Sequence, residues 1–187
     1  MNKQVYLGIV GTNGSGKSAV CEYLVLEKGF LAFSLSDIVR KQAKLNGLEI
    51  TRDNLIKTGN ELKLKYGDAA LAEQIYQEAT NKQSSKVIFD SIRNAAEVEY
   101  LKQAGCFIIG VDADLDLRYQ RIQQRKKDTD FVSFETFKKQ DEIEHSGASS
   151  GQNISQALSF CEIIINNNKN VTSLYKEVDS VLGKLLS

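Results

Sequence analysis

Eight consecutive residues, Gly11-Thr-Asn-Gly-Ser-Gly-Lys-Ser18, match the pattern G-x-x-x-x-G-K-[ST]. They follow an apolar run, Val5–Val10, and lead into a segment of helical period that opens near Lys17. Each residue type has a physical reason to be there. Glycines let the backbone turn its N–H groups inward, and the N-terminus of a helix beneath them completes a nest for phosphate oxygens. A lysine in this place reaches the β- and γ-phosphates, and the following hydroxyl holds Mg²⁺. The spacing therefore predicts a nucleoside triphosphate, ATP, bound by Gly11, Thr12, Asn13, Gly14, Ser15, Gly16, Lys17, Ser18 and Ala19.

Further chemistry is expected where apolar runs end in charge. Asp90 closes Lys86-Val-Ile-Phe-Asp90, and a carboxylate at a strand end can share Mg²⁺ with Ser18. A helix cap at Asp90 or Ser91, ahead of a helix over Asn94–Ala104, is the structural alternative. Arg93 follows three residues later; Asp112 ends the next run and reads as a cap or a solvated loop acid. Arg118, Arg121 and Arg125 recur at spacings of three and four and share one helix face, beside an apolar stripe of Leu115, Tyr119 and Ile122. Phosphoryl transfer calls for such positive charge around the equatorial oxygens. Charged Lys126–Gly151, ending in the loose HSGASSGQN, is expected to be a mobile lid that excludes water. The acidic cluster Asp141, Glu142 and Glu144 reads as a solvated face that could meet the lid arginines in an open form. His145, the one histidine, reads as a surface residue, and Cys21 as a small core side chain.

The elements that must position these groups alternate. Apolar runs at Val5–Val10, Phe30–Phe33, Val87–Phe89, Phe107–Val111 and Ile163–Ile165 each precede a helical segment, the pattern of an α/β fold with a five-stranded parallel sheet and helices on both faces. Helices over Asp37–Leu45, Asn54–Lys65 and Asp68–Asn81, separated by Gly47 and Gly67, exceed what one crossover needs and predict a helical lobe over about 36–82. The 187 residues suit a single domain over 1–187. With 24 basic and 24 acidic side chains, the chain lacks the basic excess of a nucleic-acid binder. No segment reaches the ~18 apolar residues of a membrane span, and no secretory leader is legible. Three widely spaced cysteines, with no metal-ligand spacing, read as reduced thiols of a cytoplasmic protein. Oligomeric state leaves no mark in the sequence.

The phosphate loop, FSLSDIVR (Phe33–Arg40), TRDNL (Thr51–Leu55), VIFDSIRNAAEVEYL (Val87–Leu101) and the Asn-rich end of the last strand together resemble a P-loop family described as dephospho-CoA-kinase-like or nucleotide-kinase-like, within the wider group of nucleoside monophosphate kinases. The resemblance covers nearly the whole chain. It implies a five-stranded parallel sheet, an acceptor-binding helical lobe and a lid over about 126–151. It also implies acceptor binding by Arg40, with Asp37 as its helix-start partner, and by Arg93. Arg118 and Arg125 would stand around the transferring phosphate. The turn Asn166–Asn170, with Asn167, would pack against the adenine of ATP, although Lys169 stands where the family has glycine. Where adenylate kinases carry D-G-F-P-R this chain has D-S-I-R.

Two acceptor chemistries compete. A sugar hydroxyl, as in dephospho-CoA, needs a general base, whereas a phosphate acceptor is already anionic and needs arginine clamps. The Asp37–Arg40 spacing favours a nucleoside or deoxynucleoside monophosphate. A regulatory P-loop NTPase without a small-molecule acceptor is the reading from a different class; NNNKN lacks the aspartate of the N-K-x-D base-reading motif.

Overall fold

The computed structural model describes residues 4–125, 132–146 and 153–186. Five parallel strands, β1 (Val5–Gly11), β2 (Leu31–Ser34), β3 (Lys86–Ile92), β4 (Phe107–Asp112) and β5 (Ile163–Asn166), form one sheet in the order β2-β3-β1-β4-β5. Strand β1, VYLGIVG, is buried along its whole length, as a central strand covered on both faces must be. The edge strands β2 and β5 are shorter and partly exposed.

Helices cover both faces. On one side α1 (Lys17–Lys28) and α9 (Val171–Leu186) bury Val20, Leu24, Leu174 and Val178 against Leu7, Ile9 and Val111. On the other, α2 (Leu35–Leu45), α3 (Arg52–Tyr66), α4 (Ala70–Thr80), α5 (Ala95–Gln103) and α8 (Ile154–Ser159) close over Val10, Phe89 and Ile108. Helix α3 buries only Thr58 and Leu62 and leaves Leu64 and Tyr66 exposed, so it hangs at the rim of the lobe. The lobe helices lie within a residue or two of the expected spans. Helix α2 starts two residues early, at Leu35, with Ser34 in extended conformation as its N-cap.

Register brings the strand ends to one edge. Ser34 pairs with Asp90, and Asp112 pairs with Asn166. Strand β3 does not stop at Asp90 as expected. Its pairing with β1 passes from Gly8↔Phe89 to Val10↔Ile92, which places an extra residue in β3 at Asp90–Ser91. Such a bulge bends the strand and re-aims its side chains. Neither Asp90 nor Ser91 caps α5. That cap is Asn94, whose side chain accepts the Glu97 N–H (2.8 Å) while the Glu97 carboxylate accepts the Asn94 N–H (3.3 Å).

The segment expected to be a lid is helical in part. Residues 134–146 are helix α7 (Phe134–Ser146) rather than loop; 126–131 and 147–152 lie outside the described residues. The Ser133 hydroxyl accepts the Thr136 N–H at the start of α7, and Phe137 is buried against Tyr119 of α6 (Leu115–Arg125). The ring contact holds α7 to the body of the protein.

Candidate functional site

Helix α1 begins at Gly16 with no side chain capping it and no acidic residue in its first turn. Its first N–H groups therefore have neither a helical partner nor a competing carboxylate, which suits an anion. Two glycines are forced by geometry. Gly14 and Gly16 have φ of 80° and 106°; a Cβ on Gly14 would lie 2.6 Å from the Arg118 carbonyl oxygen, and one on Gly16 would lie 2.4 Å from Asn167 Nδ2. The loop is thus wedged between the start of α6 and the turn after β5.

Buttresses fix it from below. The Thr12 hydroxyl donates to Asp112 Oδ1 (2.8 Å), so Asp112, its side chain 36% exposed, also accepts from a buried loop side chain. Asn167 is also buried, and its amide donates to the Ser15 carbonyl (2.8 Å). That amide supports the phosphate loop. Arg121, expected on the solvated arginine face, donates to the Asn167 (2.8 Å) and Lys169 (3.3 Å) carbonyls and holds the Asn-rich turn.

Lys17 is not freely solvated. It is half-buried and donates to the Thr12 carbonyl (2.8 Å). Burial, and next the Arg93 guanidinium, lower its pKa from 10.5 to about 8, against opposing pulls from Glu144, Cys21 and Asp90. Cys21, on α1 behind the loop, is a core side chain whose thiol burial pushes up to about 12, far from a nucleophile's range.

The three arginines of α6 divide. Arg118 is 4% exposed. It pairs bidentately with Asp141 of α7 (2.5 and 2.8 Å) and donates to the Ala113 carbonyl (2.9 Å). The acidic cluster thus meets an arginine here, as one reading of the sequence allowed. Arg125 reaches the cleft described below. His145, half-exposed, has Nδ1 2.7 Å from the Asp141 carbonyl oxygen.

Beside the loop lies a cleft of about 690 Å³ between the sheet edge, the α2–α3 lobe and α7. Six cations line it: Lys17, Arg40, Arg52, Lys63, Arg93 and Arg125; Glu144 is the one carboxylate among the described lining residues. Arg40 donates to Ser36 Oγ (2.6 Å) and pairs with Asp37 (3.0 Å). Arg93 is fixed through its backbone, whose N–H donates to Glu97 Oε2 (2.8 Å). Glu97 is buried and stands 3.7 Å from Lys63; burial raises its carboxyl above the usual range, while Lys63 and two backbone N–H groups hold it down. Arg52 and Lys63 escaped sequence reasoning. Their signal, cations at the start and near the end of a helix facing the lobe interior, becomes readable only once α3 is placed against α2. For Mg²⁺, Ser18 presents an exposed hydroxyl and Asp90 a part-buried carboxylate near Lys17. Hard oxygen donors of this kind, without a group of three or more His, Cys, Asp or Glu among the described residues, suit a cation shared with phosphates.

The AAA domain family matches residues 7–143. The UPF0200 protein of Pyrobaculum aerophilum is 33% identical over 182 residues, which cover 96% of this chain and 97% of that one. The UPF0200 protein of Methanocaldococcus jannaschii is 28% identical over 97% of this chain and 90% of its own. Against the UPF0200/UPF0201 protein of Archaeoglobus fulgidus, 30% identical, this chain spans 55% of the relative's length. Among solved structures, shikimate kinase from Acinetobacter baumannii in complex with shikimate superposes with a TM-score of 0.60 at 16% identity, covering 100% of this chain and 97% of that one. Deoxyadenosine kinase from M. mycoides with bound dATP gives 0.58 at 12% identity, covering 98% and 100%. At such identities the likeness is one of fold, a kinase-like P-loop fold.

Proposed function

The chain belongs to the UPF0200 protein family and to the AAA domain family, and from its site we propose that it transfers the γ-phosphate of ATP to a nucleoside or deoxynucleoside monophosphate. The observation that carries this reading is the charge of the cleft, six cations against Glu144. A hydroxyl acceptor, as in a dephospho-CoA kinase, calls for a base beside it. Asp37, the acid after β2, is paired to Arg40 with its side chain 66% exposed and does not line the cleft. An acceptor phosphate needs no base, only cations that hold it in line.

In this mechanism the loop N–H groups of Gly11–Ala19 and the Lys17 ammonium hold the triphosphate. Ser18 and Asp90 would hold Mg²⁺, which neutralises charge on the β- and γ-oxygens. Arg40 and Arg93 clamp the acceptor phosphate, with Asp37 orienting Arg40. Arg125 and Lys17 stabilise charge on the transferring group as it develops. Arg118 joins them by exchanging the Asp141 carboxylate for a phosphate oxygen. The turn Asn166–Asn170 receives the adenine, and Asn167 serves it indirectly by holding Ser15. The lid spans about 126–151, with α7 its described part, and the acceptor lobe about 36–82, within a single domain. The partners are ATP and this nucleotide, with neither nucleic acid nor membrane, and the protein works in the cytoplasm.

The test is ADP production from ATP–Mg²⁺ with each common ribo- and deoxynucleoside monophosphate and dephospho-CoA offered in turn, with Lys17→Ala as the blank. Stimulation by one monophosphate supports the reading. Stimulation by dephospho-CoA alone moves the chain to a hydroxyl acceptor, and slow hydrolysis that no acceptor stimulates makes it a regulatory NTPase. With the stimulating acceptor in hand, Arg40→Ala should raise the KM for acceptor at least about tenfold, the loss of a charge-assisted hydrogen bond, with the KM for ATP within about twofold. Equal effects on both would place Arg40 elsewhere.

A further inference from the structure

Ser91 has a φ of 61°, a left-handed conformation uncommon for a residue with a side chain. It lies in the β3 bulge. Conformations of this kind persist where the surroundings over-determine them, and they gather at functional sites. The local consequence is visible. Adjacent residues of a regular strand point to opposite faces, yet Ser91 Oγ lies 3.0 Å from Asp90 Oδ1 and donates to it.

The contact is one end of a line. Ser34 Oγ lies 2.9 Å from Ser91 Oγ and 2.9 Å from Ser36 Oγ, and Arg40 Nη1 donates to Ser36 Oγ at 2.6 Å. Ser34 is the N-cap residue of α2, but its side chain makes no capping bond. Its hydroxyl serves the line instead. Each hydroxyl has one proton, a guanidinium can only donate, and an ionised carboxylate can only accept. The polarity is then fixed. Ser91 gives its proton to Asp90, so Ser34 must donate to Ser91 and Ser36 to Ser34, with Arg40 donating at the head. All the protons point from the acceptor arginine toward the carboxylate beside the phosphate loop, and hydrogen bonds in such a chain polarise one another.

We propose that Ser36, Ser34 and Ser91 are positioning residues that carry the occupancy of the acceptor site at Arg40 to the carboxylate of Asp90. The proposal rests on the acceptor reading above. An acceptor phosphate draws Arg40 away from Ser36. The line loses its charged head, and the Ser91 bond to Asp90 weakens. More negative charge then stays on the carboxylate, which becomes a better partner for a hard cation. Acceptor and metal–nucleotide therefore bind with positive coupling, and the coupling requires the divalent cation.

The experiment is ADP affinity by equilibrium dialysis, with Mg²⁺ or with EDTA, in the absence and presence of AMP, CMP, GMP or UMP. In the unaltered protein at least one monophosphate should tighten ADP about fivefold or more with Mg²⁺ and less than about twofold in EDTA, a coupling of ordinary size for linked sites. Ser34→Ala, which cuts the line at its middle and touches neither end group, should bring the Mg²⁺ effect below about twofold. Ser34→Thr keeps a hydroxyl and should restore it, which a loss of packing would not explain. Ser91→Gly, which keeps the backbone conformation and deletes the hydroxyl, should behave as Ser34→Ala does. Tightening that survives Ser34→Ala and Ser91→Gly, or that is equal in EDTA, overturns the relay. So does a protein that phosphorylates a monophosphate without any Mg²⁺-dependent tightening, which leaves the kinase reading standing. A protein that neither phosphorylates nor binds any monophosphate overturns both.

Discussion

At the scale of single residues, Lys17 links the site's chemistry to pH. Its pKa, brought to about 8 chiefly by burial, puts the loss of its charge within an accessible range. The ammonium is the form that holds phosphate, so kcat/KM for ATP should fall as pH rises through about 8, with no corresponding change in the fold. The sign for stability is opposite. Between about 8 and 10.5 the unfolded chain holds this proton and the folded chain does not, so this group makes the protein more stable as pH rises through that window. A thermal melt and a rate profile over the same pH series separate the two; activity lost in step with unfolding would count against the assignment. Ser91 offers a second test. Ser91→Ala and Ser91→Gly both delete the hydroxyl, but alanine must keep the left-handed φ of 61°. Denaturant melts should find the glycine variant more stable than the alanine one by about 1 kcal/mol, and equal stabilities would mean that the conformation is not strained.

At the scale of elements, α6 and α7 are joined through Arg118 and Asp141, whose side chains are 5% and 12% exposed. Removing Asp141 from so buried a pair leaves Arg118 with Asp112, 3.9 Å from its Nε, as the remaining close counter-charge. Asp141→Ala should cost about 3 kcal/mol of stability in chemical denaturation; a cost below about 1 kcal/mol would mean that Asp112 and the Ala113 and Asn13 carbonyls satisfy the guanidinium. The same pairing explains why α7 was unreadable as a helix. Its sequence, FETFKKQDEIEHS, buries one residue, Phe137, so the hydrophobic period that marks a helix is nearly absent. What holds α7 in place is the Phe137–Tyr119 contact and a charge pair with a residue 23 positions away, and neither of these is a local pattern.

At the scale of the whole molecule, nucleotide and fold are linked. A ligand that binds the folded chain alone stabilises it by RT ln(1 + [L]/Kd), about 2.7 kcal/mol at a hundred times Kd. For a chain of 187 residues that is roughly 5–10 °C in Tm. ATP with Mg²⁺ should raise the midpoint by that amount in the unaltered protein and by much less in Lys17→Ala; an equal rise in both would place the nucleotide off the loop. The cleft adds a corollary. Its cations come from the loop, α2, α3, the end of β3 and α6, so its charge belongs to the assembled lobe and to no one element. No described helix is long and apolar enough to cross a membrane.

The sequence alone determined the phosphate loop, the five strands and the parallel α/β architecture, because each rests on local rules. A glycine-lysine-serine spacing, buried apolar runs and helical periods act over a few residues and survive without their neighbours. The partners of the charged groups were decided only by the tertiary structure. Arg118, Arg121 and Arg125 look equivalent on a helical wheel, yet one is sealed on Asp141, one holds the Asn167 and Lys169 carbonyls, and one lines the cleft. Asp112 meets Thr12 a hundred residues away, and Lys63 meets Glu97 across the lobe. Asp90 and Ser91 point together because β1 and β3 slip by one residue at the bulge, a fact of strand pairing that no single strand's sequence contains. A side chain's type is local, but its burial and its counter-charge come from segments far along the chain.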